Sequence, residues 1–221
     1  WSLLMIKAAI FDLDGTILDS MRSWDELDAN FLRSLGLEPR PGLQQDVMAL
    51  TLRQSAQYFR REYGVPLSED EIISRLRADI RRAYESEIQL KPGAQEALEL
   101  LRERGIPMAV ATATEEHLAL AALTRLGVLD YFSGLYTCDM VGRTKRFPDV
   151  FLAAAEHLGS SPGETLVFED APFAAKTAHD AGFPVALVYD PASHSSECAR
   201  FASVELHDFA ELRVFLDKLS K

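Results

Sequence analysis

Two cysteines, Cys138 and Cys198, are all that a chain of 221 residues carries. They are too few and too far apart for a disulfide framework or a metal ribbon, so both read as ordinary thiols in a reducing compartment. No apolar run approaches the length of a membrane span. The opening segment 1–6 is interrupted by Lys7 and leads straight to Asp12 and Asp14, which fits neither a signal peptide nor a bilayer helix. A cytoplasmic location is the expectation. Met5 is a candidate natural start, which would make residues 1–4 an added stretch.

Basic runs are also missing. A formal net charge of -11 repels polyphosphate backbones, and the nearest cationic group, Arg143 with Lys145 and Arg146, is too short to form a binding stripe. Neither nucleic acid nor a membrane surface is an expected partner. Repeats and low-complexity tracts are lacking too, while 48% hydrophobic and 26% charged residues match an ordinary folded protein with a substantial core. The pattern does not distinguish a monomer from a homodimer.

Short apolar runs at 6–11, 106–111, 135–138, 165–168, 185–189 and more weakly 203–206 read as strands. Helical patterns lie between most of them: 94–104 after Pro92-Gly93, 115–126 behind Thr114 as candidate N-cap, and 148–158 before Gly159. This alternation predicts an α/β fold with a doubly wound, Rossmann-like parallel sheet. Residues 18–90 break the rhythm, with helical periodicity and no convincing strand. Met21, Trp24, Leu27, Phe31 and Leu35 share one stripe and Leu52, Ala56, Phe59 and Tyr63 another. Ser68 with Glu71 forms a capping-box signature ahead of Ile72, Leu76, Ile80 and Tyr84. The expected organisation is a core of 1–17 and 91–221 with a helical insertion at 18–90. Its joints would lie near 17–20 and 90–93, and the insertion would act as a lid at the carboxyl ends of the strands.

Asp12 and Asp14, at positions i and i+2 where the first strand ends, project to one side. Gly15 and Thr16 add a tight turn with N–H groups and a hydroxyl suited to an anion. An isolated Asp-x-Asp-Gly could equally be a surface turn. Glu169 and Asp170 change the balance, because they too end an apolar run and would face the same crevice. Four carboxylates there are costly to bury without a cation, and magnesium with its oxygen ligands is the simplest candidate.

Asp12-Leu13-Asp14-Gly15-Thr16, Val110-Ala111-Thr112, Lys145 ahead of Pro148-Asp149, and Glu169-Asp170 followed by Ala181-Gly182 occur in this order along nearly the whole chain. In this the chain resembles the haloacid dehalogenase superfamily, in its phosphatase and phosphomutase branch with a helical cap. The resemblance implies that Asp12 attacks phosphorus and becomes an aspartyl-phosphate, while Asp14 serves as general acid and then general base. It implies that Mg2+ is held by the carboxylates of Asp12 and Asp170 and the backbone carbonyl of Asp14, with Glu169 auxiliary or one step removed. It assigns the phosphoryl group to Thr16, the Thr112 hydroxyl, the Ala113 N–H and the Lys145 ammonium. Arg53 is a candidate phosphate contact in the cap, although an arginine on a solvated helix face reads the same way.

The implied function is Mg2+-dependent hydrolysis of small, sugar-like phosphomonoesters. A β-phosphoglucomutase-like phosphomutase is the nearest alternative, and a non-catalytic phosphate- or metal-sensing module is the alternative from another class. Some positions depart from the pattern. Arg146 and Phe147 stand where proline and a small residue are frequent, Ala171 and Ala174 where serine and glycine are. Ser20 replaces the hinge histidine of the mutases, which weakens that reading. Dehalogenation is disfavoured by the presence of Asp14, and phosphonate cleavage by the lack of any lysine between Thr16 and Leu90.

Overall fold

The computed structural model describes residues 6–47, 50–193 and 198–219. The Met5 start and the Cys198 side chain lie outside them. The chain forms two compact units, one built from 1–19 and 89–221 and the other from 20–88.

The larger unit is built on six parallel strands: β1 (Ala8–Phe11), β2 (Met108–Thr112), β3 (Phe132–Thr137), β4 (Thr165–Glu169), β5 (Val185–Val188) and β6 (Val204–Leu206). Their spatial order is β3-β2-β1-β4-β5-β6, so the chain winds outward one way from β1 and then the other way from β4. A doubly wound sheet opens a crevice where that order reverses, at the carboxyl ends of the strands. Strands β1, β2, β4 and β5 are buried throughout, which is why they read as unbroken apolar runs. Strand β3 is an edge strand, and Ser133 and Gly134 interrupt its apolar pattern. It begins three residues earlier than the apolar run at 135, and Cys138 opens a helix rather than ending a strand.

Register decides what meets at the crevice. Phe11 pairs with Phe168 of β4 and with Val110 of β2. The Phe11 and Phe168 rings stack at 4.1 Å between centroids, and Phe209 packs against Phe168 on the same side. Side chains alternate along a strand, so Asp12 and Glu169 turn to the opposite face. There Ile10, Ala109, Ala111, Val167, Val185 and Leu187 form a core with α8 (Asp149–His157) and α9 (Pro172–Asp180). Helices α5 (Ala94–Glu103), α6 (Glu116–Arg125), α7 (Cys138–Val141) and α10 (Glu211–Leu219) complete the unit.

The smaller unit holds α1 (Met21–Ser34), α2 (Leu43–Val47), α3 (Leu52–Tyr63), α4 (Glu69–Arg82) and a π-helical turn at Ala83–Glu87. Phe31, Leu32, Ala56, Phe59, Ile72 and Leu76 fill its core. Both α3 and α4 start with a full capping box, Thr51 with Gln54 and Ser68 with Glu71. The segments at the edge of the larger unit run antiparallel to each other. Leu18 bridges Leu90, the Asp19 N–H donates to the Gln89 carbonyl at 2.9 Å, and the Lys91 N–H donates to Ile17 at 2.8 Å. Gly93 follows with φ +76°, where a Cβ would lie 3.1 Å from that of Phe209, so both conformation and space call for glycine.

Candidate active site

The turn after β1 is wound tightly around one carbonyl. Leu13 accepts from the N–H groups of Thr16, Ile17 and Leu18 at 3.2, 3.0 and 2.8 Å. Gly15 supplies the positive φ, +78°, that this winding needs. Asp12 is anchored from behind, its N–H donating to the Phe168 carbonyl at 3.0 Å.

Carboxylate oxygens of Asp12, Glu169 and Asp170, all buried, lie within 4.8 Å of one another. Lys145 is also buried, and its Nζ donates to Asp12 Oδ1 and, at 2.6 Å, to Glu169 Oε1. It enters beside the Phe151 ring of α8, 5.4 Å from the centroid. The other oxygen of Glu169 accepts the Ala171 N–H at 3.2 Å. Glu169 is thereby held on both sides, facing the ammonium. The sequence assigns Thr16 to the phosphate. In the structure its hydroxyl lies 3.2 Å from both Asp12 Oδ2 and Asp170 Oδ1, tying the two carboxylates together.

Burial pushes all three carboxyls upward. Glu169 reaches about 8, with the Lys145 attraction opposing and Asp12 and Asp170 adding to the rise. Asp170 reaches about 7, with Asp12 next in weight. Asp12 moves the same way, although Lys145 pulls against it. Burial alone would lower Lys145, but Asp12 and Glu169 overcome it and hold the ammonium above its ordinary value. Three carboxylates against one ammonium leave two negative charges uncompensated when all are ionised. An all-oxygen donor set with an excess of two negative charges fits a hard divalent cation.

Thr112 ends β2 and is buried. Its Oγ1 accepts the Thr114 N–H at 3.0 Å, and Ala113 between them is exposed. The sequence offers Thr114 as the N-cap of α6. The structure corrects this: Glu115 takes the cap position without a side-chain bond, and the Thr114 hydroxyl donates to Asp14 Oδ2. Nothing in the local sequence marks this contact, because a threonine just ahead of a helix is commonplace. Arg53, in the smaller unit, pairs with Glu69 at 3.0 Å and Asp70 at 3.2 Å. Cys138 is a free, buried thiol that burial pushes upward, in keeping with an inert role.

The family model for haloacid dehalogenase-like hydrolases matches residues 6–182. The chain belongs to that family. Among curated relatives, hexitol phosphatase B of Escherichia coli O157:H7 is 30% identical over 215 residues, covering 94% of each chain. A solved chain from Thermotoga maritima superposes with a TM-score of 0.86 at 25% identity, covering 96% of this chain and 99% of that one. CbbY from Rhodobacter sphaeroides, solved in complex with phosphate, superposes with a TM-score of 0.74 at 25% identity, covering 94% and 96%. As a member of this hydrolase family the chain carries, in Asp12, Glu169 and Asp170, an acidic cluster able to hold a divalent metal. Among the described residues no helix is long and apolar enough to cross a membrane.

Proposed function

We propose that the chain is a Mg2+-dependent phosphatase that hydrolyses small phosphomonoesters of sugar or sugar-alcohol type through a phosphoryl group carried on Asp12. The observation that carries the reading is the junction at Asp12. Its carboxylate meets the Lys145 ammonium on one oxygen and the Thr16 bridge to Asp170 on the other. Asp12, Asp170 and the Asp14 backbone carbonyl would hold the metal, with Glu169 keeping Lys145 in place. A bound divalent cation supplies positive charge that keeps Asp12 ionised and offsets the phosphate oxygens.

In the first step an Asp12 oxygen attacks phosphorus and the bond to the substrate alcohol breaks. The electron pair leaves with the alcohol oxygen, which takes a proton from Asp14. In the second step a water oxygen attacks the same phosphorus and passes its proton to Asp14. The bond to Asp12 then breaks, restoring the carboxylate and releasing inorganic phosphate. Lys145, the Thr112 hydroxyl and the Ala113 N–H stabilise charge on the transferring group. The helical unit 20–88 is the source of substrate choice. The sugar-alcohol assignment follows the hexitol phosphatase relative. The place of Ser20, where mutases carry a hinge histidine, favours hydrolysis over phosphomutation.

The test is release of inorganic phosphate from a panel of phosphorylated metabolites, with Mg2+ and with a chelator. Release that requires Mg2+ is expected. Interconversion of hexose phosphates without net release would favour the phosphomutase, and silence across the panel would contradict both.

A further inference from the structure

The loop that follows β2 holds a chain of contacts for which phosphate binding gives no reason. Thr112 Oγ1 accepts the Thr114 N–H at 3.0 Å, which fixes the backbone two residues beyond the strand. From that fixed point the buried Thr114 side chain reaches back to Asp14 Oδ2, a hundred positions away in sequence. A threonine immediately ahead of a helix ordinarily gives its hydroxyl to the first turn. Here the N-cap position falls on Glu115, with no side-chain bond, and the hydroxyl goes to the carboxylate instead.

We infer that Thr114 is a positioning residue, setting the orientation of Asp14 for proton transfer. This rests on the reading of Asp14 as the acid and base of the proposed phosphatase. Asp14 sits half-buried on a turn, and its carboxylate can rotate about two side-chain bonds. A proton donor must come within hydrogen-bond reach of the leaving oxygen, and misplacement by an ångström costs on the order of 100-fold. The Thr114 hydroxyl donates to Oδ2 and so fixes the rotation of the carboxylate. It also draws the carboxylate toward the β2 loop, so that Asp14 and the cluster of Asp12, Glu169 and Asp170 keep separate duties. Because the Thr114 N–H hangs on Thr112, the residue assigned to the phosphoryl group and the proton carrier are linked through one short loop.

First-turnover and steady-state kinetics with p-nitrophenyl phosphate separate this from a structural role. Nitrophenolate leaves without needing a proton, so Asp12 is phosphorylated whether or not Asp14 is oriented, whereas the attacking water still requires Asp14 as base. In Thr114→Val the first-turnover burst should stay within about threefold of wild type, while steady-state turnover falls by roughly 10- to 100-fold. Thr114→Ser, which keeps the hydroxyl, should recover turnover to within about threefold. Thr114→Ala, which places no extra methyl at the hydroxyl position, should behave as Val does. The Mg2+ affinity measured by calorimetry should be unchanged in all three. Burst and turnover slowing together, turnover unaffected in Val and Ala, or no recovery with Ser would each overturn the inference. Asp14→Asn, run alongside, tells the two claims apart. If it keeps full turnover, the acid and base reading of Asp14 fails and the inference falls with it; if it shows the retained burst and slow turnover while Thr114→Val does not, the inference alone fails.

Discussion

Lys145 is a lone ammonium shared by two buried carboxylates, and its effect comes from where it is fixed rather than from its charge alone. The Phe151 ring beside it and the bond from Ala171 to Glu169 keep the cation from following either partner away. Under the proposed mechanism Lys145→Met should lower kcat by on the order of 100- to 1,000-fold, as loss of a fixed electrostatic donor does in other enzymes. Lys145→Arg should not restore it, because a planar fork cannot occupy the place of a point charge enclosed by two carboxylates. Steady-state kinetics across the two variants checks this, and full activity in either would refute the assigned role. At this scale the sequence is legible where a residue type is rare for its setting. Two acidic pairs at the ends of apolar runs announce a site by cost alone. Thr114 gives no such warning, since threonine before a helix is commonplace and only the structure shows its hydroxyl turned to Asp14. Thr16 was legible as part of the site but not in its detail, because the winding of the turn around the Leu13 carbonyl decides where the hydroxyl points.

Elements were legible to the extent that their signals are local. The Ser68 and Glu71 capping box lies within four residues of chain, and it is formed as the spacing implies. Buried strands announce themselves by composition, whereas β3 does so only in its second half, because it lies at the edge of the sheet and its pattern mixes exposed and buried positions. Helices α2 and α7 are very short and Ala-rich α9 carries no strong periodic stripe; these three and the terminal α10 have no counterpart among the helical patterns of the sequence. The second linker also has a contact invisible to local reading. Lys91 Nζ lies 2.9 Å from Asp190 Oδ2 and donates to the Tyr189 carbonyl at 2.8 Å, joining that linker to the loop after β5. Their side chains are only 10% and 4% exposed, so removing the lysine leaves a buried carboxylate charge uncompensated, although the Ala192 N–H still donates to its other oxygen at 2.9 Å. Lys91→Met should destabilise the protein by about 3–5 kcal/mol, and the double variant with Asp190→Leu should regain most of that loss. Urea unfolding of the single and double variants measures the difference; a single variant as stable as wild type would mean that the pair contributes nothing.

At the scale of the whole molecule the acidic cluster couples stability to pH and to metal. Glu169 at about 8 and Asp170 at about 7 lie above their ordinary values of 4.5 and 3.8. Below about pH 3 these groups are protonated in both folded and unfolded chains, and their burial carries no ionic penalty. As pH rises the unfolded chain ionises first, so metal-free stability should fall progressively between about 4 and 8. A divalent cation binds the ionised form and should oppose that fall, so the rise in Tm on adding Mg2+ should be larger at pH 8 than at pH 5. Thermal unfolding with Mg2+ and with a chelator across this range checks the sign, and a metal-induced rise that shrinks as pH increases would contradict it. Transfer of the phosphoryl group to Asp12 itself can be tested at one carboxylate. Wild-type protein and Asp12→Asn are quenched in acid during turnover of a phosphate ester, digested, and mapped by mass spectrometry. The account predicts one added phosphoryl group on the peptide that carries Asp12 in wild type and none in the variant; a phosphoryl group on another residue, or undiminished turnover in Asp12→Asn, would contradict it.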